Sequence, residues 1–205
     1  MFGMWRAIVS SQQVAALPSE YERLAKTIRH MPIKDPKKVY VLALPKEGTH
    51  VWRFRVYLPA HYEATDMYYN GRISATTPRI QFDSGGSGWN GARAEPVDYL
   101  LTIAFFKETH GWELHKTSDF NRCSISLGPK IAKTLENSES LIVEYVGQNG
   151  PAEFSIDEPI CLMRLRNSDP IEDKNGAEPL YEGFYLYIIP KSALQEFKAV
   201  QRTDP

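Results

Sequence analysis

Between His50 and Leu58 apolar and polar residues alternate one for one. Trp52, Phe54, Val56 and Leu58 share one face, while Arg53, Arg55 and Tyr57 share the other. A period of two sends successive side chains to opposite sides of a strand, so this segment has to fold as a half-buried strand, core on one side and water on the other. Just upstream, Val39-Tyr40-Val41-Leu42-Ala43-Leu44 reads as another strand, closed by Pro45. The short connection Lys46-Glu47-Gly48-Thr49 predicts an antiparallel hairpin between the two.

The same logic carries along the chain. Residues 97–106 are apolar on both faces, as in a central strand, and 111–116, 122–127, 141–146 and 160–165 are further strands. Residues 180–189 form a last long strand ended by Pro190. Tyr181, Tyr185 and Tyr187 lie on one of its faces, and Leu180, Phe184, Leu186 and Ile188 on the other, so both faces are expected to be buried. Asn70-Gly71, between possible strand arms, predicts a hairpin turn. Residues 83–96, beginning Asp83-Ser84-Gly85-Gly86-Ser87-Gly88-Trp89, read as a glycine-rich loop, and 167–179 as a polar surface loop. Residues 128–136 suit a short helix or turn, and Ser192 is positioned to cap a short helix using Leu194, Phe197 and Val200.

The front of the chain differs. Ser19-Glu20-Tyr21-Glu22 is a capping box: the serine hydroxyl can accept an N–H of the first turn while Glu22 reaches back to the Ser19 N–H. The helix it starts should run to about Met31, where Pro32 ends it. Its apolar stripe (Val14, Leu17, Tyr21, Leu24, Ile28 and Met31) has heptad spacing. It suits packing on the chain's own sheet, or a coiled-coil contact that would make an oligomer through this helix. Strands follow one another without alternating helices, which argues against a doubly wound parallel sheet. The expected fold is mainly β: an antiparallel β-sandwich or partly open barrel with an N-terminal helix and a short C-terminal helix. Residues 1–36 form a helical lead-in and 37–205 a single β-rich domain.

The run Asp35-Pro36-Lys37-Lys38-Val39-Tyr40-Val41, with Trp52-Arg53-Phe54-Arg55-Val56-Tyr57-Leu58-Pro59 after it, resembles uncharacterised planctomycete proteins. In those a membrane segment and a short helix precede a β-rich extracytoplasmic domain. The resemblance covers about residues 20–60 and implies no activity. Met1-Phe2-Gly3-Met4-Trp5-Arg6 is too short for a signal peptide and lacks its basic region. It reads either as a frayed terminus or as the tail of a membrane segment, with Trp5 and Arg6 as interface anchors. An upstream anchor would place the domain in the cell envelope; without one it would be cytoplasmic. Cys123 and Cys161 lie in strand-like runs and read as buried free thiols, pairing only if their strands meet in an oxidising compartment.

Lys plus Arg number 24 and Asp plus Glu 25 in 205 residues, a net charge of −1, which speaks against a nucleic-acid protein. The balance is uneven: +6 over residues 1–60, −3 over 61–150 and −4 over 151–205. A basic front end favours an anionic surface such as a membrane leaflet, against the plainer reading of a solvated face.

Catalytic signals are thin. Asp83-Ser84-Gly85-Gly86 echoes the nucleophile segment of trypsin-like proteases, with His50 or His61 and Asp66 upstream, yet too little chain precedes Ser84 for two barrels. The loop has no phosphate-cradle spacing. His110 and His115, five apart on a strand, point to opposite faces, and no H-E-x-x-H or cysteine–histidine cluster is present, so no metal site is expected. Glu108, Glu113 and Glu144 are candidate carboxylates for glycoside hydrolysis, with solvent-facing strand positions as the plainer reading. The tyrosine stripe Tyr181, Tyr185 and Tyr187, with Trp89, forms the candidate ligand-binding set, since rings stack on sugars or pack peptides. Gly183 between them would admit the close approach of a ligand or another backbone. The leading expectation is a non-catalytic binding or scaffolding module for a protein or glycan, near a membrane, with no cofactor. The alternative is a hydrolase with a site around residues 83–96.

Overall fold

The strand alternation resolves into two antiparallel sheets in a computed structural model, which describes residues 31–46, 48–76, 78, 80–137, 139–171 and 178–201; side chains are described for these except at 80–90, 200 and 201. The chain divides between Pro32 and Ile33, and the second unit holds every element named below. The protein is mainly β, and the sheets do not close into a barrel.

In chain order the strands are β1 (Val39–Ala43), β2 (Val51–Leu58), β3 (Ala64–Ser74), β4 (Ile80–Asn90), β5 (Val97–Glu108), β6 (Gly111–Ser118), β7 (Arg122–Ser126), β8 (Leu141–Tyr145), β9 (Ala152–Phe154), β10 (Ile160–Asn167) and β11 (Leu180–Pro190). Helix α1 (Pro129–Glu136) follows β7, and α2 (Leu194–Gln201) follows β11. One sheet has six strands in the order β7-β6-β5-β2-β1-β9, and the other has five in the order β4-β3-β11-β10-β8. The predicted hairpin is present, with Val41 opposite Val56 and Ala43 opposite Phe54.

One apolar core belongs to both sheets. Val41, Trp52, Phe54, Val56, Leu101, Ile103 and Phe105 enter it from the six-stranded sheet, and Ile160, Leu165, Phe184 and Leu186 from the five-stranded one. Phe105 meets Phe184 edge to face at 5.3 Å, and Phe54 meets Tyr145 at 6.2 Å. Each phenylalanine so buried stabilises the fold by roughly 1.5–3 kcal/mol. Helix α1 adds Ile131 and Leu135, four apart on one face, to the same core. Across it, Lys116 of β6 and Asp66 of β3 form an ion pair with both side chains buried, joining the sheets.

The outer face of the five-stranded sheet is apolar too. Met67, Tyr69, Ile73, Tyr185, Tyr187 and Ile189 form a second cluster with Phe197 of α2. Strand β11 therefore sits between β3 and β10 with both faces buried, as its composition predicts. The two cysteines lie in different sheets, and both thiols are free.

Two expectations are corrected. Asn70-Gly71 makes no hairpin: β3 runs through it, unbroken in its register with β11, and the pair absorbs a shift of register against β4. A strand already paired on one side cannot fold back there, so the asparagine–glycine pair serves a bulge. Most of the glycine-rich segment is likewise no loop, because 83–90 belong to β4, whose partner is β3. Pairing uses only the main chain, so an edge strand can tolerate glycines that a side-chain-packed strand could not. The predicted helix over 19–31 lies outside the described residues except for Met31.

Candidate functional site

The alternation that builds β2 also leaves the outward face of the six-stranded sheet open. Register aligns its outward residues into rows across four strands. Arg53 of β2 is opposite Thr102 of β5, Thr102 is opposite Thr117 of β6, and Thr117 is opposite Arg122 of β7. The neighbouring row is Val51, Ala104, His115 and Ser124. These residues, Ser124 excepted, together with Phe106 border a groove of about 380 Å³, a size suited to a small ligand or part of a larger one. Phe106 is 44% exposed, and its ring meets His115 edge to face at 5.2 Å.

Beside the groove, Glu113, His115 and Ser124 form a cluster. The Ser124 hydroxyl donates to Glu113 Oε2 at 2.7 Å, His115 Nε2 lies 3.2 Å from the same oxygen, and Ser124 Oγ is 3.4 Å from Nε2. The hydrogen bond from Ser124, and then His115, holds the Glu113 carboxyl below its ordinary value. The trio has the residue types of an acyl-transfer triad but not its wiring. A triad puts the carboxylate on one imidazole nitrogen and the serine on the other, which leaves a lone pair to take the serine proton. Here both partners converge on Nε2, and the serine proton goes to the carboxylate. The arrangement orients side chains and leaves the serine unactivated.

The residues singled out from sequence lie elsewhere. The Tyr185 hydroxyl donates to the Pro78 carbonyl at 2.6 Å, and its ring packs on Tyr187 at 4.9 Å. Tyr187 in turn packs on Phe197 at 5.0 Å and accepts a bond from Arg164 at 3.4 Å. Both tyrosines are buried, 0% and 5% exposed, so they serve the second cluster and not a surface. Tyr181 is half-buried, with the Arg166 guanidinium 4.5 Å above its ring. Gly183 does permit the approach of another backbone, since a Cβ there would lie 2.5 Å from the Leu165 carbonyl oxygen. The Trp89 backbone pairs with Thr65, and its side chain is outside the described set, as is that of Ser84. Asp66 is engaged by Lys116. His50 packs edge-on against Trp112 at 5.2 Å, where burial and then Lys46 lower its pKa. Glu144 lies 3.8 and 3.9 Å from Arg164 and Arg166 in the five-stranded sheet, while Glu113 is on the six-stranded one.

Sequence reasoning missed the open face, although Glu113 and His115, two apart on a strand, were a readable same-face pair. Among the described residues no group of three or more His, Cys, Asp or Glu could hold a metal ion, and no helix is long and apolar enough to cross a membrane.

A second cavity, of about 530 Å³, opens at the end of the sheets where β2 passes to β3 and β9 to β10. Pro59, His61, Tyr62, Ile156, Asp157 and Lys191 are among its lining. His61 has a φ of 60°, the left-handed region, held by its N–H to the Arg93 carbonyl at 2.7 Å. The Tyr62 hydroxyl is buried without a hydrogen-bond partner, and burial, then Asp157, raises its pKa far above the ordinary range. A buried, unsatisfied hydroxyl costs about 1–3 kcal/mol, so Tyr62→Phe should leave stability unchanged or raise it by up to about 1 kcal/mol. Thermal denaturation checks this, and a clear fall in Tm would mean that the hydroxyl has a stabilising partner in solution.

No protein-family model matches the chain, and neither a curated protein nor a solved structure matches it.

Proposed function

We propose that this chain is a non-catalytic binding module, a two-sheet β-sandwich that meets a glycan or protein partner with the outward face of its six-stranded sheet. One observation carries the reading: the two outer faces are unlike. That of the five-stranded sheet is buried in a second apolar cluster with α2, while that of the six-stranded sheet holds a groove bordered by four strands and a half-exposed phenylalanine. Exposed aromatic rings beside hydroxyls and guanidiniums are a recurrent binding chemistry. The wiring of Glu113, His115 and Ser124 supports binding over catalysis.

Glycan and peptide arrays test the reading, with wild type compared against Phe106→Ala. Removing an exposed ring leaves the core intact, so the variant should fold with an unchanged Tm and lose at least tenfold in affinity for whatever wild type retains. Retention by Phe106→Ala equal to wild type, or no retention by wild type, would end the proposal.

A further inference from the structure

Strand β8 ends the five-stranded sheet and pairs with β10 on one side alone. It reads Leu141-Ile142-Val143-Glu144-Tyr145, with Ile142, Val143 and Tyr145 among the strongest strand formers. In an antiparallel ladder alternate residues direct their main-chain groups to one side and the rest to the other. Just beyond the ends of β8, Val146 donates to the Leu162 carbonyl at 3.1 Å, and the Ser140 carbonyl accepts from Ser168 at 2.7 Å. These bonds fix the parity: Ile142 and Glu144 bond to β10, while Leu141, Val143 and Tyr145 turn their main-chain groups away from it. The Tyr145 carbonyl accepts from Gln148 Nε2 at 2.9 Å. Among the described residues, the main-chain groups of Leu141 and Val143 have no partner on that side. Their side chains pack on the core yet stay half-buried, as on an open edge. The other short edges differ. β9 has three residues, and Lys38 and Tyr40 both donate to Glu153 at its centre. β7 sets exposed Arg122, Ser124 and Ser126 along its length.

What fits the edge of β8 is a second β8. Two copies related by a two-fold axis run antiparallel, and an axis at Val143 aligns the whole strand: Val143 opposite Val143, Leu141 opposite Tyr145, Ile142 opposite Glu144. Residues with outward main-chain groups then meet one another, as the ladder requires. Charge favours the same register. Glu144 faces an isoleucine of the other copy, with its own Arg164 and Arg166 at 3.8 and 3.9 Å on the opposite side. An axis at Glu144 would set two carboxylates against each other, which is unfavourable. An axis at Ile142 would carry Glu144 and Tyr145 past the end of the other strand. The contact uses the same patch on both copies, so it consumes both edges and closes at a dimer.

We propose that two copies of this chain pair through β8, antiparallel and centred on Val143, joining their five-stranded sheets into one. This contact is separate from the open face of the six-stranded sheet, so neither reading depends on the other. A five-residue ladder is a small interface, and the dimer is weak and concentration-dependent. Sedimentation equilibrium of the full chain, from about 10 µM to about 1 mM, should show reversible dimerisation with a Kd of roughly 10–500 µM. Amide hydrogen exchange at Leu141 and Val143 should slow at least about twofold across that range. Ile142→Glu sets a carboxylate opposite Glu144 of the other copy and should weaken the dimer at least about tenfold. Ile142→Lys meets the same glutamate with opposite charge and should dimerise within about threefold of wild type, or more tightly. Val143→Pro removes an N–H that β10 does not use and should weaken dimerisation as Ile142→Glu does. The Tm of each variant checks that it folds. A chain that stays monomeric to about 1 mM overturns the proposal. So does a dimer that Ile142→Glu leaves unchanged, or that leaves exchange at Leu141 and Val143 unaltered; it would belong to another surface, such as the heptad stripe from Val14 to Met31. Equal weakening by Ile142→Glu and Ile142→Lys would overturn the register.

Discussion

Replacing Lys116 with methionine should destabilise the fold by about 3–5 kcal/mol, because it removes the ammonium that neutralises the buried Asp66 carboxylate. The two side chains are 6% and 9% exposed. Burial lowers the Lys116 pKa, against a smaller upward pull from Cys123, so the buried ammonium needs the carboxylate beside it. Asp66→Leu alone should cost a similar amount by leaving that ammonium unpaired. At about 2–4 °C per kcal/mol for a domain of this size, Tm should fall by roughly 6–20 °C in either case. The double variant Asp66→Leu with Lys116→Met should regain most of the loss, since an apolar pair can fill such a site nearly as well as an ion pair. A double-mutant cycle by thermal or urea denaturation reads all three. If each single change costs under about 1 kcal/mol, the pair does not join the sheets in solution.

Gly147→Ala should be comparably severe. After β8 the chain turns back to supply β9, and the backbone of β1 lies directly against that turn. A Cβ at Gly147 would stand 2.6 Å from the Ala43 nitrogen and 2.8 Å from the Val41 carbonyl oxygen, and its φ is +76°. Main chain cannot step aside as a flexible side chain can. The left-handed conformation costs about 1–2 kcal/mol and the overlap about 1–3 more, so a total loss of roughly 2–5 kcal/mol is expected. Gly48→Ala separates the two causes: its φ is +77°, but nothing lies within 4 Å of the added carbon. Its cost should be the smaller of the two. Equal losses in urea denaturation would mean that contact with β1 contributes nothing.

The contrast between Trp52, Phe54 and Val56 on one side and Arg53 and Arg55 on the other was legible because a half-buried strand has to alternate. It told the inner face of β2 from the outer before any partner strand was known. The double-sided apolar run around Phe184 and Tyr185 was legible for the opposite reason, since a central strand has no face to leave polar. Asn70-Gly71 and the glycines of β4 misled because local turn chemistry was overruled by strand pairing, with the distant β11 in the first case and with the neighbouring β3 in the second. Lys116 had a readable signal. It falls on the Trp112 and Leu114 side of its strand, where a charge requires a partner, but nothing local points to Asp66, fifty positions earlier. The row from Arg53 to Arg122 was out of reach altogether, because it exists only through the register of four strands. A shift of one residue in any of them would turn its member inward.

Strand β4 closes its sheet as an eleven-residue edge, the longest among the terminal strands of either sheet. A long edge ordinarily templates strands from other molecules and is a route to aggregation. The run Asp83-Ser84-Gly85-Gly86-Ser87-Gly88 opposes this. Glycine brings no side chain to a cross-strand pair and loses the most conformational freedom on joining a sheet, so an incoming strand would gain little there. The segment whose composition first suggested a catalytic loop thus gives the rim of the sheet few side chains for an incoming strand to pair with, where other proteins use charge or proline.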